Sequence, residues 1–377
     1  MQIKRQKILF LTLHTFSLTG GIEKVGRILA KVLNDIMLSD QLDNKSIKVL
    51  SLCDQENDVN KAYCAPENFE GYAYQRSRFG AMAVLNGLKS DTIILSHINL
   101  LAIAVVIKFL SRKKRIIMLA HGIEVWRNLS SWKQYFFREH VEIWAVSDFT
   151  SQVLQHKHRI SNNKIKILNN CLDPYFNLPT SFHKPNYLLD RHNLNENQPV
   201  MITISRLSSF ELYKGYDMVI STIPELLTDF PNLIYILAGK ADHKEKTRLN
   251  NLISKKSLHN HVLLIDFIPE NELIDYFLLA DIFVMPSKKE GFGLVFIEAA
   301  ACGCPIIAGN KDGSKDALLN GTLGMLINPD SAQMLIQAIQ KKLTDGKSQM
   351  QSLLLQQKCL SHFGYDRYKN QVLKFLA

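Results

Sequence analysis

Short runs rich in isoleucine, valine and leucine recur along this chain, separated by stretches long enough for helices, and the pattern occurs twice. The first series covers residues 7–13, 47–52, 92–97, 115–120, 142–147 and 164–168. The second covers 200–205, 233–238, 262–267, 282–285, 305–308 and 324–327. Runs this short and this uniformly apolar fit strands covered by helices on both faces, which predicts parallel α/β sheets. A chain of 377 residues also exceeds the size at which one core usually keeps growing, so two domains are expected. The segment 174–199, with prolines at 174, 179, 185 and 199 and many asparagines, reads as the linker between them. Two open sheets in tandem present the carboxyl ends of their strands to a shared cleft, and chemistry is expected in the loops that follow those strands.

The most informative of these loops lies in residues 287–301, SKKEGFGLVFIEAAA. It follows the run 282–285 and places Glu290 in a glycine-bracketed turn and Glu298 two helical turns further on, near the same face. The glycines let backbone N–H groups approach an anion at a helix start, and each carboxylate can accept hydrogen bonds from the hydroxyls of a sugar or a ribose. A buried strand, a turn and an amphipathic helix with one solvated glutamate is the alternative reading. Arg206 ends the run 200–205, and Lys214-Gly215 lies eight residues beyond it. A forked guanidinium and a point-charge ammonium beside a glycine suit a diphosphate, whose charge grows as its bond to a sugar breaks. Two solvated cations in a surface loop would look the same.

In the first half, Gly20-Gly21 opens a helical pattern carried by Val25, Ile28, Leu29, Val32 and Leu33. Paired glycines at a helix start suit a phosphate, although a tight turn also needs glycine, and the dinucleotide fingerprint G-x-G-x-x-G is absent. His121-Gly122 follows the run 115–120, at the rim of the expected cleft, as either a ligand-facing or a structural histidine.

Charge narrows the partners. Residues 1–180 carry 24 Lys+Arg against 15 Asp+Glu, whereas 181–377 carry 21 against 20. The basic half is expected to face an anionic partner, a membrane surface or a phosphorylated acceptor. Its densest clusters are Arg112-Lys113-Lys114-Arg115 and Lys4, Arg5 and Lys7, although such runs are often merely solvated. Neither a zinc-finger spacing nor an aromatic-basic RNA signature accompanies the charge, so nucleic acid is not the expected partner. Six cysteines without a C-x-x-C pair fit a reduced, cytoplasmic setting. The N-terminus is basic then apolar like a signal peptide, lacks a small-residue cleavage site, and reads as a first strand. The longest apolar run, 100–110, is interrupted by Lys108 and too short to span a bilayer, leaving peripheral attachment to the inner face of the cytoplasmic membrane as the membrane option. No D-x-D triplet and no zinc spacing is present, so neither a metal nor another cofactor is expected.

Taken in order, Gly20-Gly21, His121-Gly122, Arg206 with Lys214, and Glu290-Gly-Phe-Gly-Leu with Glu298 resemble the family 4 retaining glycosyltransferases of the GT-B fold, glycosyl transferases group 1. The resemblance runs from about residue 7 to 330, and its E-x7-E element is the most specific part. It implies two Rossmann-like domains facing a central cleft: an acceptor-binding domain 1–180, a nucleotide-sugar-binding domain 181–360, and a segment 361–377 whose helix, near 363–375, crosses back to the first domain. It further implies that Arg206 and Lys214 bind the diphosphate, Glu298 the nucleotide ribose, and Glu290 the donor sugar. Backbone at Gly291, Phe292, Gly293 and Leu294 would contact sugar and phosphates. His121 would approach the sugar, and Gly20 and Gly21 would lie near the phosphates or the acceptor. The segment RLSSFELYKG departs from the commonest family spacing between its Arg and Lys, which touches the placement of Lys214.

The implied activity is metal-independent, retaining transfer of a hexose from a UDP- or GDP-sugar to an acceptor hydroxyl, a glycan or a lipid-linked sugar, in polysaccharide, lipopolysaccharide or glycolipid biosynthesis. No carboxylate can be nominated for a double displacement, so a front-face route is expected. A nucleotide-sugar epimerase or phosphorylase, or a non-catalytic nucleotide-binding module, are the alternatives on the same fold.

Overall fold

Strand β1 (Lys7–Thr12), KILFLT, is buried at every position after its lysine in the computed structural model, as a strand covered on both faces must be. The structure describes residues 7–39 and 46–377; Lys4 and Arg5 of the expected basic cluster lie outside them. The chain divides into two units, one of Met1–Pro174 with Tyr365–Ala377, the other Tyr175–Gly364.

In the first unit β1 is followed by α1 (Gly21–Ser39), β2 (Ser46–Ser51), β3 (Phe69–Gly71), α2 (Arg76–Lys89), β4 (Thr92–Leu95) and α3 (Leu101–Leu110). Then come β5 (Arg115–Ala120), α4 (Ile123–Trp126), α5 (Ser131–His140), β6 (Glu142–Ala145), α6 (Asp148–His158) and β7 (Ile165–Ile167). The sheet runs β3-β2-β1-β4-β5-β6-β7 with every pair parallel. In α1, Val25, Ile28, Leu29, Val32, Leu33 and Ile36 recur at spacings of three and four and are all buried, the stripe that holds a helix to a sheet.

The second unit begins with α7 (Asn186–His192), β8 (Val200–Ile204), α8 (Tyr216–Leu226), β9 (Ile234–Ala238), α9 (His243–Lys255), β10 (Val262–Ile265) and α10 (Leu273–Leu279). It continues through β11 (Ile282–Met285), α11 (Leu294–Ala301), β12 (Ile306–Gly309), α12 (Ser314–Ala317), β13 (Met325–Ile327), α13 (Ala332–Asp345) and α14 (Gln349–Phe363). Its sheet runs β10-β9-β8-β11-β12-β13, again all parallel. Counted within the unit, this is the doubly wound order 3-2-1-4-5-6. Two parallel-sheet α/β units are thus the fold class the sequence pattern predicts.

The expected linker is a correction. The division falls after Pro174, and most of 174–199 is built into the second unit. Phe182 and Leu188 are buried, Lys184 Nζ donates to Asp281 Oδ2 at 2.8 Å, and Arg191 Nη1 donates to Glu272 Oε2 at 2.6 Å. Proline and asparagine report an irregular backbone here, whereas the apolar side chains between them decide that it packs.

The last helix, α15 (Tyr365–Leu376), starts later than 361–377 or 363–375 implied: Gly364 separates it from α14, and Phe363 stays in the second unit. α15 packs within the first unit, where Arg115 donates to the carbonyls of Phe375 at 2.5 Å and Leu376 at 3.2 Å. A cation at a helix C-terminus satisfies carbonyls that have no partner in the helix.

Candidate functional site

In the second sheet the chain order reverses between β8 and β11, and in doubly wound sheets the loops after the strands at such a reversal flank the ligand crevice. The loop after β8 carries Arg206 and Lys214; the loop after β11 carries Glu290 to Gly293. Two contacts draw the loops together. Lys288 N donates to Tyr213 O at 2.9 Å, and Gly215, at φ +80°, lies so close to Pro286 that a Cβ would be 2.5 Å from its carbonyl oxygen. Only glycine fits both the angle and the space.

Lys214 thereby reaches Glu290: its Nζ lies 2.5 Å from Oε2, with the side chains 14% and 17% exposed. The one-turn helix Leu212–Lys214 and the turn before it absorb the additional residues between Arg206 and Lys214. Tyr213 sits among these charges. Burial, then the charges of Glu211 and Glu290, push its phenol up, while Arg206 opposes them. Arg206 is largely exposed and donates from Nη2 to Glu211 Oε1 at 2.6 Å. Lys214 and Glu290 are in contact, then, and Arg206 is gathered near them but held by Glu211.

Glu290 is fixed from below by the loop after β12. Its N–H donates to Asp312 Oδ2 at 2.7 Å, and its carbonyl accepts from Gly313 N at 2.8 Å. A Cβ on Gly313 would lie 2.1 Å from Gly291 O, so the two loops touch backbone to backbone. Asp312 is fully buried and also accepts from Ser314 N at 3.0 Å. Burial pushes its carboxyl up to about 6, against the hydrogen bonds from Ser314 and Glu290, which lower it.

After Glu290, Phe292 is buried with its ring 5.6 Å from Phe363, so its side chain belongs to the core and only its backbone is left for binding. Gly293 has φ +88°, and no side chain caps the helix α11 that begins with Leu294. The first N–H groups of α11 and its dipole therefore suit an anion. Glu298 lies within this otherwise apolar helix and is 7% exposed.

Gly20, Gly21 and His121 lie in the first unit, after β1 and β5. A Cβ on Gly20 would fall 2.2 Å from Glu23 Oε2, so this chain's own carboxylate lies against the start of α1, while Gly21 has open space around it. The loop before them hangs on Asp54, fully buried, which accepts from Thr15 N at 2.7 Å, Phe16 N at 3.2 Å and Ser17 N at 3.1 Å. His121 Nε2 lies 2.9 Å from the carbonyl oxygen of Ser96. A carbonyl only accepts, so the neutral ring carries its proton on Nε2 and leaves Nδ1 as an acceptor. Glu124 Oε1 accepts from the backbone of His121 at 2.6 Å and of Gly122 at 3.1 Å.

Asp312, Asp54 and Glu124 were not expected from the sequence. Each follows a strand by three or four residues, and that position was the available signal: an acid there can fold back onto the backbone of the neighbouring loop. Among the described residues no group of three or more His, Cys, Asp or Glu side chains is placed to hold a metal ion.

Residues 188–352, which contain this crevice, match the family model described as Glycosyl transferases group 1. The crystal structure of Anabaena Alr3699/HepE in complex with UDP superposes with a TM-score of 0.78 at 20% identity, covering 98% of this chain and 99% of that one. The fold is that of the GT-B glycosyltransferases. Within this GT-B chain, 163 residues are 31% identical to the GDP-mannose-dependent alpha-(1-6)-phosphatidylinositol monomannoside mannosyltransferase of Mycolicibacterium smegmatis, 41% of either chain. A match of 97 residues is 42% identical to the O-antigen biosynthesis glycosyltransferase WclY of Escherichia coli, 26% of this chain and 25% of that one. The GT-B chain thus matches less than half the length of these two curated relatives.

Proposed function

We propose that this protein is a retaining glycosyltransferase that moves a hexose from a nucleotide-diphosphate sugar, with UDP or GDP as carrier, to an acceptor hydroxyl in polysaccharide or glycolipid biosynthesis. The observation that carries the reading is the Lys214–Glu290 contact at the β8/β11 reversal, beside the uncapped start of α11. A cation, a hydroxyl-binding carboxylate and a run of N–H groups are what a sugar diphosphate requires, and the UDP and UDP-glucose complexes of the similarly folded Anabaena Alr3699/HepE support the same class.

In the proposed reaction the bond between the anomeric carbon and the diphosphate oxygen breaks, and negative charge accumulates on that oxygen. Lys214, Arg206 and the N–H groups of α11 stabilise the charge, in place of a metal ion. Glu290 accepts hydrogen bonds from the sugar hydroxyls and Glu298 from those of the ribose. The acceptor oxygen attacks from the face the diphosphate is leaving, and its proton passes to the diphosphate oxygen, so configuration is retained. In the first unit His121 Nδ1 accepts a hydrogen bond from a substrate hydroxyl. The matched relatives' names, a phosphatidylinositol mannoside mannosyltransferase and an O-antigen glycosyltransferase, support a lipid-linked or glycan acceptor.

The test is a product assay with UDP-, GDP- and ADP-sugars, each with and without a lipid-linked glycan acceptor. Acceptor-dependent release of the nucleoside diphosphate with an α-configured product from an α-donor is expected. Conversion of donor without acceptor would instead mean an epimerase, and nucleotide binding without turnover a binding module.

A further inference from the structure

Helix α3, LAIAVVIKFL, is apolar at every position except Lys108. Leu101, Ala104 and Ile107 are buried in the core of the first unit, and a Cβ on Gly87 of α2 would lie 2.4 Å from Ile107 Cδ1, so that side is closely packed. The opposite side turns Val106, Phe109 and Leu110 to solvent, 45%, 85% and 55% exposed. Spacings of three and four place all three on one face. A solvent-facing side of a helix ordinarily carries charge. The single cation of α3 is turned away, since Lys108 Nζ donates to the carbonyl of Lys114 at 2.6 Å. Helix α5 packs alongside α3 and exposes Trp132 and Tyr135, amphipathic rings of the kind that sit at a water–lipid boundary.

Charge beside this face has one sign in the turn that follows it. Of Arg112-Lys113-Lys114-Arg115, the last two are engaged by the fold. Lys114 Nζ donates to the carbonyls of Leu88 at 2.8 Å and Ser90 at 2.6 Å, and Arg115 is held by Glu142 and the end of α15. Arg112 and Lys113 are exposed directly after Leu110, Lys89 is exposed at the end of α2, and Lys133 Nζ lies 5.5 Å from the Trp132 ring. On α5 the exposed Glu139 is neutralised by Arg138 at 2.7 Å. The whole first unit carries 27 Lys+Arg against 16 Asp+Glu, a balance of +11, and the second 18 against 19.

We propose that the α3 face is a docking surface for an anionic lipid bilayer, with Phe109 and Leu110 entering the headgroup–acyl boundary and Arg112 and Lys113 meeting lipid phosphates. An apolar centre with flanking cations matches a surface that is hydrocarbon below and negative above. A second copy of this chain fits less well, because a two-fold contact would bring the same cations face to face. At ten residues α3 lies on a bilayer, not through it, and among the described residues no helix is long and apolar enough to cross one. The inference goes beyond the transfer reaction and does not depend on it.

Co-sedimentation with vesicles of phosphatidylcholine, alone or mixed in equal parts with phosphatidylglycerol, tests it. The intact protein binds the mixed vesicles and is released by salt. Phe109→Ser with Leu110→Ser lowers that affinity at least about tenfold, given the area each side chain withdraws from water. Arg112→Ser with Lys113→Ser lowers it about 25-fold at low salt, at roughly fivefold per cation. All four positions are exposed, so both variants melt like the parent and keep their transfer rate on a water-soluble acceptor. Phe109→Trp gives a second readout, a blue-shifted emission on adding mixed vesicles. Absence of binding to anionic vesicles, binding indifferent to the apolar pair, or an apolar-pair variant that turns a dimer into a monomer without touching vesicle binding each overturns the proposal.

Discussion

Lys214 Nζ lies 2.5 Å from Glu290 Oε2, joining residues that belong to the loops after two neighbouring strands, β8 and β11. Both side chains are mostly withdrawn from water, and each neutralises the other. Removing one partner leaves the other charge poorly solvated. Glu290→Gln and Arg206→Ala are each expected to lower turnover by about two to three decades while the protein stays folded, the scale of one lost charge-stabilising contact. Rates near those of the parent in both variants would remove these residues from the chemistry. A double-mutant cycle with Lys214→Ala and Glu290→Ala, read by chemical denaturation, should give a coupling of about 1–3 kcal/mol.

Asp312 makes stability depend on pH in a stated direction. Burial pushes its folded carboxyl up to about 6, above the 3.8 of an ordinary aspartate. Between those values the folded chain keeps a proton that the unfolded chain has released, so stability falls as pH rises from about 4 to 6 and then levels off. The loss is on the order of 3 kcal/mol for a buried carboxyl shifted this far. Asp312→Asn cannot ionise and should flatten this part of the profile, measured as urea midpoint against pH. An unchanged slope in the variant would show that another group is responsible.

Phe292 anchors the glycine turn through its buried ring, not through ligand contact. Phe292→Ala should cost about 3–5 kcal/mol of stability, by loss of apolar burial and the cavity left against Phe363. Calorimetric melting gives the measurement, and a change of less than about 1 kcal/mol would contradict the packing described.

Glu298→Gln should weaken nucleoside diphosphate binding about 10–100-fold, the value of one hydrogen bond between a charged group and a hydroxyl. Isothermal titration with UDP and GDP checks it, and the corresponding deoxyribonucleotides should lose less on mutation than the ribonucleotides do.

Asp54 organises the loop after β1 from beneath. Asp54→Ala removes the acceptor for three backbone N–H groups and should destabilise the first unit by about 3 kcal/mol. Hydrogen exchange at Thr15, Phe16 and Ser17 should accelerate more than exchange in β1. Equal acceleration throughout would mean that Asp54 supports the sheet and not the loop.

Much of this architecture can be read from the residues because a fully covered parallel strand has to be apolar on both faces. That requirement writes Arg115–Ala120 and Ile282–Met285 into the sequence with their observed bounds. Strand β3 escapes notice because three residues at a sheet edge carry no period. Runs drawn past β4 and β6 end early because the chain turns there: His97 Nδ1 accepts from Asn99 N at 3.1 Å and Ser147 Oγ from Thr150 N at 3.0 Å. At the candidate site, Lys214 and Glu290, which the structure brings into contact, follow strands at recognisable places, so both can be named as candidates beforehand. Their supports cannot. That Asp312 holds Glu290 depends on how two separate loops lie against one another, and that Glu211 holds Arg206 depends on how their shared loop folds, neither of which a local pattern records.

The first unit is discontinuous, since α15 is separated from the sheet it completes by the entire second unit. A ribosome delivers every strand of both sheets before it delivers Tyr368, Val372 and Phe375. Until then Trp144 lacks the ring it packs against, and Arg115 and Lys166 lack the carbonyls of Phe375. The sheet that begins the chain is therefore the later one to be finished during synthesis, and a nascent protein halted before residue 365 would expose an unclosed apolar seam to chaperones and proteases.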